Sequence, residues 1–144
     1  MRGLETPSFT FHIPEPRDVD VFVVDDERVS LNFMEASLEA EGHPVRAFSD
    51  PADALDAMRT RPPQLLVTDL VMPGLSGVDL AREARLLDGD IGVVLVTGAG
   101  DEEALTAMDR LDISSYLAKP LEKPALAKAV RQTYLERAAQ EHHQ

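Results

Sequence analysis

Three stretches of this chain are apolar almost residue for residue yet only strand-length: VDVFVVD (19–25), QLLVTD (64–69) and IGVVLVT (91–97). A strand with one face in water alternates apolar with polar residues; a strand covered on both faces does not. The runs fall far short of the ~20 apolar residues of a membrane span. They therefore belong inside a sheet with helices on both sides. Each also stops on a polar residue: Asp25, Asp69 or Thr97. A buried strand that ends on a carboxylate needs a reason for it.

The segments between the runs supply the helices. Residues 28–41 place Leu31, Met34, Ala36 and Leu38 at helical spacing, and Gly42 follows where a C′ residue would sit. In SDPADALDAMR (49–59) Asp50 reads as N-cap and Pro51 as the first helical residue, with Leu55 and Met58 inward. Residues 76–87 carry Val78, Leu80, Ala84 and Leu87; an acid-fronted helix is predicted over 101–110 and a long terminal one over 123–140. PVRAF (44–48) and ISSYLA (113–118) complete five strands. Residues 1–17, with three prolines, read as an irregular arm. Five strands alternating with five helices predict a single-domain, doubly wound (βα)5 sandwich of the α/β class, its parallel sheet in the flavodoxin-like order 2-1-3-4-5.

In such a sheet, ligands bind beyond the carboxyl ends of the strands, where the strand order reverses. Here that point lies between strand one, ending in Asp25-Asp26, and strand three, ending in Asp69. Thr97 and Lys119 end strands four and five at the same edge. Crowded carboxylates repel unless a cation sits among them. Hard oxygen ligands without neighbouring His or Cys suit Mg²⁺, and a carboxylate beside it, with a Lys and a Thr hydroxyl near, can accept a phosphoryl group. Composition agrees. The chain has no Cys and a net charge of -12, which removes disulfides and thiolate sites and argues against direct nucleic-acid binding. With neither a signal-peptide pattern nor a membrane span, cytoplasmic is the expected location.

Four motifs carry a resemblance: VVDDE (23–27), TDLVMPGLSG (68–77), VTGAG (96–100) and YLAKP (116–120). In this order and at these separations they resemble the receiver domain of bacterial two-component response regulators, over roughly residues 18–135, leaving 136–144 as the end of an extended helix or a linker. The resemblance implies that Asp69 is the phosphoacceptor for a sensor histidine kinase or histidine phosphotransfer protein. It implies that Asp26 binds Mg²⁺ directly, Asp25 mainly through water, and the Val71 backbone carbonyl completes the protein's share of the shell. Thr97 would hydrogen-bond the acyl phosphate and Lys119 would pair with it. Tyr116 would be the aromatic switch that turns inward when Thr97 moves, altering the surface of helix 101–110, strand 113–118 and the terminal helix. Such a domain is a signalling switch that catalyses its own phosphoryl transfer and dephosphorylation, not a conventional enzyme. Gly98 is small, as access to the acceptor requires, and the resemblance suggests a cis Lys119-Pro120 bond. Val71 and Ala99 lack polar side chains that would orient water, which bears on the lifetime of the acyl phosphate. Glu27 is expected to lean toward solvent.

Other readings compete. An Asp ending a strand is often only a cap or turn residue, and Tyr116 could be plain core. An aspartyl-phosphate hydrolase of the haloacid-dehalogenase type would place its nucleophile at Asp25 or Asp26, but Glu27 stands where that class has a second Asp, and Asp69 would have no role. A non-phosphorylated receiver-like module would normally have lost an acid, the Thr or the Lys. No output motif follows, so the extended helix could serve a C-terminal effector domain or a second copy of the chain. Leu126, Val130 and Ala138 lie near one stripe of that helix, and only the part beyond about Thr133 is expected to stand free for an interhelical seam.

Overall fold

The computed structural model describes residues 13–98, 106, 108–113 and 115–141. Its strands are β1 (Val21–Val24), β2 (Val45–Phe48), β3 (Leu65–Asp69), β4 (Gly92–Thr97) and β5 (Ser115–Ala118). All pair in parallel in the order β2-β1-β3-β4-β5, as predicted. The connecting helices are α1 (Arg28–Ala40), α2 (Pro51–Thr60) and α3 (Gly77–Leu87), and a terminal helix spans Lys123–Glu141. A short 3-10 turn, Pro16–Asp18, leads into β1. The predicted helix 101–110 lies largely outside the described residues; Thr106 and residues 108–110 are helical.

The unbroken apolar runs are explained by two cores, one on each face of the sheet. Val21, Val23, Leu65, Val67, Val94 and Val96 meet α1 and the terminal helix. Phe22, Val24, Leu66, Val93 and Leu95 meet α2 and α3. Successive residues thus enter opposite cores, and neither face can be polar.

Local signals set the helix ends. Asp50 accepts the Ala52 N–H at 2.9 Å ahead of Pro51, and Ser76 accepts the Asp79 N–H at 3.1 Å. α1 closes in a Schellman arrangement: Gly42 takes φ +105°, its N–H bonds the Glu39 carbonyl, and the His43 N–H bonds that of Leu38.

Two apolar residues of the helical patterns lie off the buried faces, and one expectation, about the terminal helix, fails. Ala36 is exposed and Ser37 is buried in its stead. At ~100° per residue Ala36 points roughly 140° away from Leu31, off the stripe that Leu31, Met34 and Leu38 define. Leu87 is 42% exposed while Ala81 is buried, because α3 ends there and its last turn overhangs the core. The terminal helix is not free beyond Thr133. Tyr134 is buried, its ring edge-on to His43 at 5.7 Å, and Arg137 donates to the carbonyls of Gly89 (3.2 Å) and Ile91 (3.1 Å). Those bonds fasten the helix to the start of β4.

Candidate functional site

The carboxyl ends of β1 and β3 bring Asp25, Asp26 and Asp69 together, each offering an oxygen within 4.8 Å of the others. Asp25 is fully buried and Asp69 nearly so, while Asp26 is exposed. Thr97 ends β4 and is buried. Its carbonyl accepts the Lys119 N–H at 2.8 Å, which ties the ends of β4 and β5 together. Lys119-Pro120 is cis. The predicted set thus occupies one edge of the sheet. Val71, two residues past Asp69, is 70% exposed.

Lys119 reaches across the edge to three acids. Its Nζ lies 3.0 Å from Asp25 Oδ2, 3.2 Å from Glu27 Oε1 and 3.7 Å from Asp69 Oδ2. Glu27 leans toward solvent as expected, and the contact with Lys119 is an addition to that reading. Its side chain is solvent-exposed, yet it is drawn to Lys119 and also accepts from Ser30 at 3.1 Å. These contacts hold its carboxyl below the usual range. Sequence gave no sign of this, since 92 residues separate the partners and the contact exists only after β5 takes its place in the sheet.

Charge is unbalanced here. Burial, and next the negative charge of Asp25, push the Asp69 carboxyl up to about 6, against the pull of Lys119 and the Leu70 N–H; Asp26 adds to the rise. Burial works against the Lys119 ammonium, but its contacts with Asp25 and Glu27 and the charges of Asp25 and Asp69 outweigh that and raise its pKa. Asp25 Oδ1 accepts the Glu27 N–H at 2.8 Å. Asp25 Oδ2 is buried and has Lys119 at ion-pair distance, but no donor in hydrogen-bonding geometry. A buried carboxylate oxygen without a directed donor, in an all-oxygen cluster, fits a hard divalent cation.

Tyr116 stands in β5 opposite Leu95 with 46% of its surface exposed, so its ring is on the outside. Gly98 is exposed, and a Cβ there would meet nothing within 4 Å; Ala99 lies outside the described residues. Beside the cluster an open cleft of about 570 Å³ runs between Glu27, Phe33, Lys119 and Leu121.

Comparison with known proteins decides the family. The family model for the response regulator receiver domain matches residues 21–131. The chain belongs to that family. It is 34% identical over 119 residues to the transcriptional regulatory protein FixJ of Azorhizobium caulinodans, covering 81% of this chain and 55% of that protein. To the C4-dicarboxylate transport transcriptional regulatory protein DctD of Rhizobium meliloti it is 31% identical over 111 residues, covering 77% and 24%. The receiver thus spans about half or less of these relatives' length. A response regulator receiver domain protein from Clostridium thermocellum superposes with a TM-score of 0.76 at 29% identity, over 85% of this chain and 98% of that one. Membership in the receiver family removes the support for a dehalogenase-type hydrolase with its nucleophile at Asp25 or Asp26. No described helix is long and apolar enough to cross a membrane.

Proposed function

We propose that this receiver accepts a phosphoryl group on Asp69 from the phosphohistidine of a sensor histidine kinase or histidine phosphotransfer protein, with Mg²⁺ held by Asp25, Asp26, Asp69 and the Val71 carbonyl. The observation that carries this reading is that, among the described residues, Lys119 alone places an ammonium among the converging acids, with Asp69 the most weakly paired of its three partners. Mg²⁺, when bound, supplies the positive charge that neutralises the transferring phosphoryl oxygens.

The residues do the rest. A carboxylate oxygen of Asp69 attacks phosphorus as the P–N bond breaks, and the electron pair leaves with the donor's imidazole. Lys119 shifts from the acids toward a phosphoryl oxygen. The Thr97 hydroxyl donates to another, and its movement clears space for the outward Tyr116 ring to turn in. The phosphoryl group biases these states only through contacts that differ between them, and Thr97 and Lys119 provide that difference. The altered surface is that of the helical residues 108–110, β5 and the terminal helix, where an effector domain or a second copy would read it. A cytoplasmic location follows from the same reading.

Incubation with acetyl phosphate and Mg²⁺ tests it. The intact mass should rise by one phosphoryl group in the wild type and stay unchanged in Asp69→Asn. A gain that survives Asp69→Asn moves the acceptor elsewhere, and no gain in the wild type favours a non-phosphorylated interaction module.

A further inference from the structure

The main-chain carbonyl of Asp69 is confined by two residues that the site has not so far included. Thr68, fully buried and preceded in its strand by three aliphatic residues, donates its hydroxyl to that carbonyl at 2.9 Å. Gly77, the first residue of α3, packs so closely on it that a Cβ would lie 2.0 Å from the Asp69 oxygen and 2.9 Å from the Leu70 Cα. The Gly77 N–H also donates to the Leu70 carbonyl at 2.9 Å. Because the peptide unit is planar, a fixed Asp69 C=O fixes the Leu70 N–H on its opposite edge. That N–H donates to Asp69 Oδ1 at 3.0 Å and to the Val96 carbonyl at 2.8 Å. Oδ1 is thereby engaged, and Oδ2 is the oxygen left facing Lys119.

We propose that Thr68 and Gly77 are positioning residues for the acceptor: they lock the Asp69–Leu70 peptide plane, so that one carboxylate oxygen is held and the other is presented to phosphorus. The proposal rests on the reading of Asp69 as acceptor. Fold alone does not require a hydroxyl at position 68. Its partners in the ladder are Val24 and Leu95, and valine has the same shape.

The test compares phosphorylation rates of the full chain with acetyl phosphate and Mg²⁺, at a temperature where circular dichroism shows every variant folded. Thr133→Val is the control for a buried hydroxyl, since Thr133 donates to the Ala129 carbonyl at 2.8 Å. Gly92→Ala is the control for an intruding methyl, since its Cβ would meet Thr133 Cγ2 at 2.8 Å. Thr68→Val should slow phosphorylation about tenfold or more, and Thr68→Ser should restore the rate. Gly77→Ala should be at least as slow, and both controls should keep the wild-type rate. If Gly77→Ala fails to fold, the Thr68 pair decides. A wild-type rate for Thr68→Val, or equal slowing in Thr68→Val and Thr133→Val, overturns the proposal. A wild type that takes no phosphoryl group on Asp69 overturns the acceptor reading itself and the positioning role with it.

Discussion

Lys119 Nζ sits 3.0 Å from Asp25 Oδ2 but 3.7 Å from Asp69 Oδ2, so the Lys119 ammonium leans on the acid that is not the proposed acceptor. Asp25 is fully buried and depends on that charge. Replacing Lys119 by Ala would strand it. Removing one partner of a buried pair is costly, and about 3 kcal/mol of stability should be lost in metal-free buffer, with a large part recovered by Mg²⁺. Urea unfolding with and without the cation measures both effects. An unchanged midpoint, or a loss that Mg²⁺ does not repair, contradicts the arrangement.

The raised pKa of Asp69 predicts a pH dependence of definite sign. A carboxyl held at about 6 when folded, against an ordinary 3.8, binds its proton more tightly in the folded state. Its contribution to stability is therefore fully present below the unfolded pKa and lost as pH rises through about 6. In metal-free buffer the wild type should lose on the order of 2 kcal/mol relative to Asp69→Asn between about pH 4 and pH 7. Denaturant titration across that window checks it, and a flat difference would show that Asp69 is not destabilised by burial and its neighbours.

The same proton competes with the metal. Below about pH 6 the apparent Mg²⁺ affinity should fall by up to about tenfold per pH unit, and calorimetric titration at several pH values follows it directly. An affinity independent of pH removes Asp69 from the ligand set.

Glu27 restrains Lys119 from the solvent side. Glu27→Gln should free the ammonium and speed phosphorylation by about two- to fivefold at low salt. Because the pair is exposed, the difference should vanish at about 1 M salt, where the Debye length is ~3 Å. A slower Glu27→Gln variant would mean that Glu27 orients Lys119 for the reaction instead of holding it back.

Gly42 carries a prediction about the scaffold. At φ +105°, with Pro16 Cβ 3.4 Å from where its own Cβ would be, Gly42→Ala should cost about 1–2 kcal/mol and leave phosphorylation unaffected. Thermal unfolding and the acetyl phosphate reaction read the two halves of that statement.

What the sequence made legible follows from what each residue answers to. β1, β3 and β4 were readable because burial on both faces leaves a continuous apolar run, and Asp50-Pro51 and Gly42 because caps are local. The edge that gathers Asp25, Asp26, Asp69, Thr97 and Lys119 followed from strand order alone. Contacts made between distant elements left no such trace. Glu27 meets Lys119, and Arg137 meets Gly89 and Ile91, only after the sheet has formed. The burial of Ser37 and the exposure of Leu87 were not legible, because amphipathic patterns in short helices fix the stripe to within a residue and say little about where the neighbouring element ends. Thr68 and Gly77 left faint signs, a hydroxyl after an aliphatic run in a strand and a glycine opening a helix, whose meaning depends on the position of a main-chain carbonyl.

The most direct measurement of the central claim is chemical trapping of the acyl phosphate. After reaction with acetyl phosphate and Mg²⁺, borohydride reduces an aspartyl phosphate to homoserine, and peptide mass spectrometry locates the altered residue. The account predicts homoserine at position 69 and nowhere else, with none formed when acetyl phosphate is omitted. Homoserine at position 25 or 26, or none at all from a phosphorylated sample, would contradict it.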